Sequence, residues 1–231
     1  MKIERDTVVW YTSDNGGLPN LGSTGGRGNK GAIYEGGLRV PGIIEWPGRI
    51  APRVTNISAC SQDIFPTVVE LAGARPGSQH PLDGITLVPL IDGKMTARDK
   101  PLGFWNHPTG GIGTPHDKWA SELLAAQKSG DEIGDKSRLV LDAAEIKRQY
   151  PEDSFPGHSA WNAWPWKLHR IQNKNDVVKW ELYNLADDPQ EATDLAKQES
   201  ERVQRMQNEL ETWLASVARS LNGKDYATVE K

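Results

Sequence analysis

Apolar positions along this chain fall into three patterns, and each predicts a different kind of element. Asp6-Thr7-Val8-Val9-Trp10-Tyr11-Thr12 is a β-branched and aromatic run without polar alternation, the pattern of a strand buried on both faces of a parallel sheet. Gly42-Ile43-Ile44-Glu45-Trp46 reads the same way, and Leu102-Gly103-Phe104-Trp105 more weakly. Residues 166–171 and 179–185 instead alternate in character across a polar stretch from Gln172 to Asp176, which predicts an antiparallel hairpin. Val203, Met206, Leu210, Trp213, Leu214, Val217 and Leu221 recur at spacings of three and four, the signature of an amphipathic helix, ended near Gly223. A shorter helix is predicted over 61–71, with Ser61 as N-cap, Ile64, Val68 and Leu71 on one side, and Gly73 as its C′ residue. Another is predicted over 119–127.

These elements predict an α/β fold in which a parallel sheet is followed by a small α+β subdomain of hairpin plus helix. Three strands are thin for such a sheet, because α/β sheets usually run to about five or six covered on both faces. The sheet is therefore expected to be truncated on its amino-terminal side. The division is 1–110 for the α/β part, 111–160 for a charged, weakly periodic insertion, and 161–231 for the subdomain.

Composition narrows the function classes. The 231 residues carry 27 basic and 31 acidic side chains for a net charge of -4, spread through the sequence. No basic face therefore points to nucleic acid, and a small molecule or polysaccharide is the expected partner. No apolar run approaches the roughly 18 to 20 residues that cross a bilayer, so no membrane partner is expected, and Met1 to Asp6 has no signal-peptide core. The single cysteine cannot close an internal disulfide. Five of the nine tryptophans lie between Trp161 and Trp213; Trp161, Trp164 and Trp166 either pack beneath the hairpin or stack on sugar rings.

Candidate chemistry follows the first strand. Thr12-Ser13-Asp14-Asn15-Gly16 sits at its carboxyl end, where open α/β sheets place ligands. Asp14 and Asn15 offer two hard oxygens suited to Ca²⁺ or Mg²⁺, or simply close a turn. Nine glycines from Gly16 to Gly37 make a loop that can approach a ligand closely. Lys30, flanked by Asn29 and Gly31, lacks the Gly-Lys-Ser/Thr order of a phosphate-binding Walker loop. His107 and His158 stand in glycine- or proline-flanked loops, either bordering a substrate or serving the core.

The ordered set Thr12 to Gly16, Arg27 to Pro41, Trp46-Pro47-Gly48, Asp63-Ile64-Phe65-Pro66-Thr67, Leu82-Asp83-Gly84, and Glu181 to Leu185 with Asp188-Pro189-Gln190-Glu191 resembles the type I sulfatases. That family is formylglycine-dependent and belongs to the alkaline phosphatase superfamily. The resemblance implies an alkaline-phosphatase-like fold and hydrolysis of a sulfate ester, expected to be a sulfated carbohydrate. Asp14 and Asn15 match the family's second pair of calcium ligands, and Lys30 matches a lysine that contacts sulfate. His158 and His107 are added as substrate-binding candidates. Glu35 and Arg39 read as braces for the loop. The Cys/Ser-x-Pro-x-Arg motif that yields formylglycine is absent here, since Cys60 precedes Ser61-Gln62-Asp63-Ile64, and so is the first acidic metal pair. These residues alone are thus expected to be inactive. The alternatives are a phosphatase or phosphodiesterase of the same superfamily, or a non-catalytic binding module. By family resemblance the location is exported, periplasmic or lysosomal.

Overall fold

The computed structural model describes residues 3–19, 25–75, 80–108, 116–131, 146, 148–173 and 175–225. Its strands form two sheets. β1 (Val9–Thr12) pairs with β2 (Gly42–Glu45), and β3 (Leu102–Asn106), β4 (His158–Ala163), β5 (Trp166–Gln172) and β6 (Val178–Asn184) form a second sheet in that order.

Every pairing among the described residues is antiparallel, which corrects the parallel arrangement expected for the first three strands. Val9, Tyr11 and Ile43 are exposed, and Leu102–Asn106 joins the carboxy-terminal sheet by pairing with β4. The reason is that a continuous apolar run encodes neither the direction nor the identity of its partner. The sheet also joins β3 to β4, which begins inside the expected insertion, 111–160, and through it to β5 and β6. Of that insertion, residues 111–115, 132–145 and 147 lie outside the described residues, and α4 (His116–Ser129) contains the helix expected over 119–127.

The four-stranded sheet has two different faces because successive side chains point to opposite sides. On one face, Trp161, Leu168 and Leu182 pack against Met206, Leu210 and Leu214 of α5 (Ser200–Leu221). Burying a side chain of this size stabilises by about 1.5–3 kcal/mol, so this seam is the main apolar core. Gly103 is required here: a Cβ would run into the Trp213 ring. Trp213 Nε1 in turn donates to Asp83 Oδ1 at 2.9 Å, tying the Leu82-Asp83-Gly84 turn to α5. Asparagine, histidine, lysine, glutamate and tyrosine occupy much of the opposite face. The register sets Asn106 opposite His158, His169 opposite Glu181, and Lys167 opposite Tyr183. This polar face turns toward the glycine-rich loop and α1 (Glu35–Leu38).

The helix predicted over 61–71 is a 3-10 turn, Ser61–Asp63, running into α2 (Ile64–Leu71). Its cap is Cys60 rather than Ser61, with the Cys60 N–H donating to Asp63 Oδ2 at 2.8 Å. The buried face centres on Thr67, while Val68 is exposed. The Thr67 hydroxyl donates to Asp63 O at 2.6 Å and accepts the Leu87 N–H at 2.8 Å, which seats α2 beside α3 (Val88–Ile91). Asp63 is fully buried and meets the Arg98 fork at 2.8 and 3.0 Å. Such a bidentate pair satisfies both carboxylate oxygens at once.

Candidate functional site

β1 ends at Thr12, and Ser13, Asp14 and Asn15 leave it in a bend. Asn15 Nδ2 donates to Asp14 Oδ2 at 2.6 Å and Ser13 Oγ donates to Asp14 Oδ1 at 3.3 Å. The Gly16 N–H donates to Gly37 O at 2.8 Å, and the Lys30 N–H to Gly17 O at 2.9 Å. These two backbone bonds bring Lys30 beside the loop that carries Asp14 and Asn15. Glycine is required at the crossing: a Cβ on Gly16 would meet Gly36 O, and one on Gly36 would meet the carbonyls of residues 26–28. The Lys30 side chain is exposed and makes no ion pair among the described residues. Asp14 and Asn15 offer hard oxygens that fit calcium. No group of three or more His, Cys, Asp or Glu converges on a metal position among the described residues.

The two candidate histidines separate. Asn106 Nδ2 donates to Gly31 O at 3.3 Å, and its cross-strand neighbour is His158, which the Tyr34 ring meets edge-on at 5.0 Å. His158 therefore comes to the loop that holds Lys30. His107 lies between the rings of Trp105 and Tyr150, at 4.8 and 5.3 Å. Burial, with Arg148 adding to it, lowers its basicity. The tryptophans divide too. Trp161 is in the core and Trp166 packs against it, whereas Trp164 is 52% exposed, beside a groove of about 440 Å³ lined by Asn56, Ser58 and Arg98.

Behind His158 runs a buried polar network. His158 Nε2 lies 2.8 Å from His169 Nδ1, and His169 Nε2 lies 2.8 Å from Glu191 Oε1. Lys167 Nζ is 3.0 Å from the same Glu191 oxygen and 2.7 Å from Glu35 Oε1, and the Glu35 N–H donates to Glu191 Oε2 at 2.6 Å. The side chains of Lys167, His169 and Glu191 are 0% exposed. Glu35 thus does brace the loop, through Lys167. Beside this chain, Glu181 accepts hydrogen bonds from the Tyr34 and Tyr183 hydroxyls at 2.8 Å and from Lys179 at 2.6 Å. Arg27 lies over the Tyr34 ring at 3.9 Å and donates to the Tyr183 hydroxyl at 3.0 Å.

The electrostatics follow from burial and these partners. Burial first, then the neighbouring His169, lowers His158 to about 4, and burial lowers His169 as well. Burial pushes Glu181 up, but hydrogen bonds from Lys179, Tyr34 and Tyr183 outweigh it and hold the carboxyl at about 2. Glu191 is likewise pushed up by burial and held below its ordinary value by His169 and Lys167. At neutral pH the network therefore consists of ionised carboxylates and neutral imidazoles. Sequence reading singled out His158 and Glu35 and missed the groups that join them. The available signal was Lys167-x-His169 opposite Glu181-x-Tyr183, polar positions alternating with Leu168 and Leu182.

Residues 2–74 match the sulfatase family model. Dog N-acetylgalactosamine-6-sulfatase is 38% identical over 117 residues, covering 47% of this chain and 22% of that protein. Human arylsulfatase A is 43% identical over 105 residues, covering 43% and 20%, and human steryl-sulfatase 38% over 115 residues, covering 45% and 20%. The matched stretch is thus about a fifth of the length of these relatives. Among solved structures, one from a study of glycosaminoglycan metabolism by Bacteroides thetaiotaomicron superposes with a TM-score of 0.61 at 18% identity, covering 92% of this chain and 39% of that one. Ps i-CgsB in complex with a neocarrahexaose gives 0.59 at 22%, covering 95% and 42%. At such identities the likeness concerns the fold.

Proposed function

We propose that this chain, whose residues 2–74 match the sulfatase family model, supplies part of an active site that hydrolyses a sulfate ester to an alcohol and inorganic sulfate. The observation that supports this reading is the backbone bond from the Lys30 N–H to Gly17 O, which ties the lysine's backbone to the loop two residues after the Asp14-Asn15 pair at the end of β1. A compact ammonium on a glycine-rich loop neutralises a sulfate oxygen as charge develops on the departing group. Asp14 and Asn15 would contribute oxygens to a calcium ion, which when bound would polarise the sulfate and template the site. The nucleophile and the remaining metal ligands come from sequence other than these residues. The substrate class is a sulfated carbohydrate, a reading supported by the relatives named for N-acetylgalactosamine 6-sulfate chemistry and by the neighbour solved with a carbohydrate. Such an enzyme works in an exported, periplasmic or lysosomal setting.

The test is metal dependence in an enzyme that joins these residues to the rest of a sulfatase sequence. Asp14→Ala should lower both calcium affinity and turnover, while Lys30→Ala leaves calcium affinity intact. Unchanged calcium dependence in Asp14→Ala would overturn the metal assignment.

A further inference from the structure

The buried network ends in a side chain whose hydrogen-bonding character it determines. We propose that His158 is a specificity-determining residue of the sulfate ester site, its Nδ1 accepting a hydrogen bond from a hydroxyl of the alcohol half of the substrate, with Glu191 and His169 as the positioning residues that hold it in that tautomer. This rests on the reading of the Lys30 loop as the sulfate-binding element.

Glu191 accepts from the Glu35 N–H, from Lys167 and from His169, so it is an ionised acceptor and His169 Nε2 must carry a proton. A neutral His169 then has a bare Nδ1, which can only accept. Among the described residues the single donor within reach, at 2.8 Å, is His158 Nε2, so that nitrogen holds the proton of His158. The Nδ1 of a neutral His158 is left as a lone pair, and it has no hydrogen-bond partner among the described residues.

Burial outweighs Glu181 and Glu191, which favour a second proton, and keeps both rings neutral among their titratable neighbours. On β5 they are Lys167 and His169, on β6 Glu181 and Tyr183, and after β6 Glu191; from the glycine-rich loop and α1 they are Arg27, Tyr34 and Glu35. Burial disfavours a second proton on His158 and His169. A lone pair repels a sulfate oxygen and attracts an O–H. His158 stands by the Lys30 loop, through Asn106 and Tyr34, and so reads the other half of the ester. Leaving groups bearing hydroxyls, as sugars do, satisfy it. An aryl or steroid face leaves it unpaired, a cost that supports strong discrimination.

The test reads the tautomer directly. Two-bond proton–nitrogen spectra of nitrogen-labelled protein at about pH 7, with His158 assigned by its loss in His158→Gln, should show the proton on Nε2 and a bare Nδ1. A proton on Nδ1 overturns the proposal. In Glu191→Gln the amide no longer enforces the order, and His158 should populate both tautomers; an unchanged spectrum would remove Glu191 from the positioning role. If that variant does not fold, the wild-type spectrum decides alone. The second arm titrates the protein with a methyl hexoside and, separately, with inorganic sulfate. The expected result is that the hexoside moves His158 Nδ1 and sulfate moves Lys30 Nζ. Sulfate moving His158 while the hexoside does not, or Lys30 responding while His158 is silent to both, overturns the role of His158. Lys30 silent to sulfate refutes instead the reading of the sulfate element on which the proposal rests.

Discussion

Removing Glu191 should destabilise this chain far more than removing any surface carboxylate. Its carboxylate has three partners, His169 Nε2 at 2.8 Å, Lys167 Nζ at 3.0 Å and the Glu35 N–H at 2.6 Å, and no exposed side-chain surface. Glu191→Ala leaves Lys167 fully buried with Glu35 as its one remaining carboxylate, and strands an imidazole N–H and a backbone N–H. Breaking a buried ion pair from one side costs about 3–5 kcal/mol, because the abandoned charge stays desolvated. The loss corresponds to roughly 10² to 10⁴ in the folding equilibrium, a large part of the ordinary 5–15 kcal/mol of a domain. Urea unfolding followed by tryptophan fluorescence reads it as a shift in midpoint at constant slope. Glu191→Gln, which keeps the volume and an acceptor oxygen, should lose less. A loss below about 1 kcal/mol in Glu191→Ala, the scale of an exposed pair, would refute the view that this network is dry and holds α1 to the sheet.

Three further outcomes are expected. His158 sits at about 4 in the folded chain against 6.5 unfolded, so between those values the unfolded state binds more protons; stability should hold above pH 6.5 and fall toward pH 4, and thermal melts of His158→Gln should show a weaker fall if the assignment is right. Gly103→Ala drives a methyl into the Trp213 ring and should cost about 1–3 kcal/mol in urea unfolding, a neutral result contradicting the packing of α5 on β3. Calcium should bind these residues only weakly, because two donors leave most of the six to eight coordination positions to water; submicromolar affinity by calorimetry, lost in Asp14→Ala, would mean that further ligands lie within the chain.

What could be read in the sequence was whatever depends on local periodicity. The four-residue spacing of Met206, Leu210 and Leu214 defines the buried face of α5, and the alternation around Leu168 and Leu182 gives the β5–β6 pair. Gly73 and Gly223 stand at positive φ just past their helices, as expected. What depends on partners was not legible. β1 and β2 have the composition of buried parallel strands yet pair antiparallel with exposed faces. β3 finds its neighbour more than fifty residues later, and the first strand of that pairing segment, β4, was not anticipated as a strand at all. Polar positions alternating with core residues normally face water, so Lys167 and His169 gave no sign of being buried. Only the assembled sheet brings Glu191 and Glu35 to them. At the candidate site, the sequence singles out Asp14, Asn15 and Lys30 by motif alone. The backbone link of Lys30 to Gly17, and the approach of His158 by way of Asn106, were not legible.

The most direct test of the account is the turnover of a sulfated monosaccharide by an enzyme in which these residues complete a sulfatase sequence, compared with its Lys30→Ala variant. Removing one preorganised charge from the developing sulfate should lower kcat by about 10² to 10³, with calcium affinity and melting temperature unchanged. Full turnover in Lys30→Ala, with the fold intact, would contradict the assignment of Lys30 to the sulfate and with it the central claim.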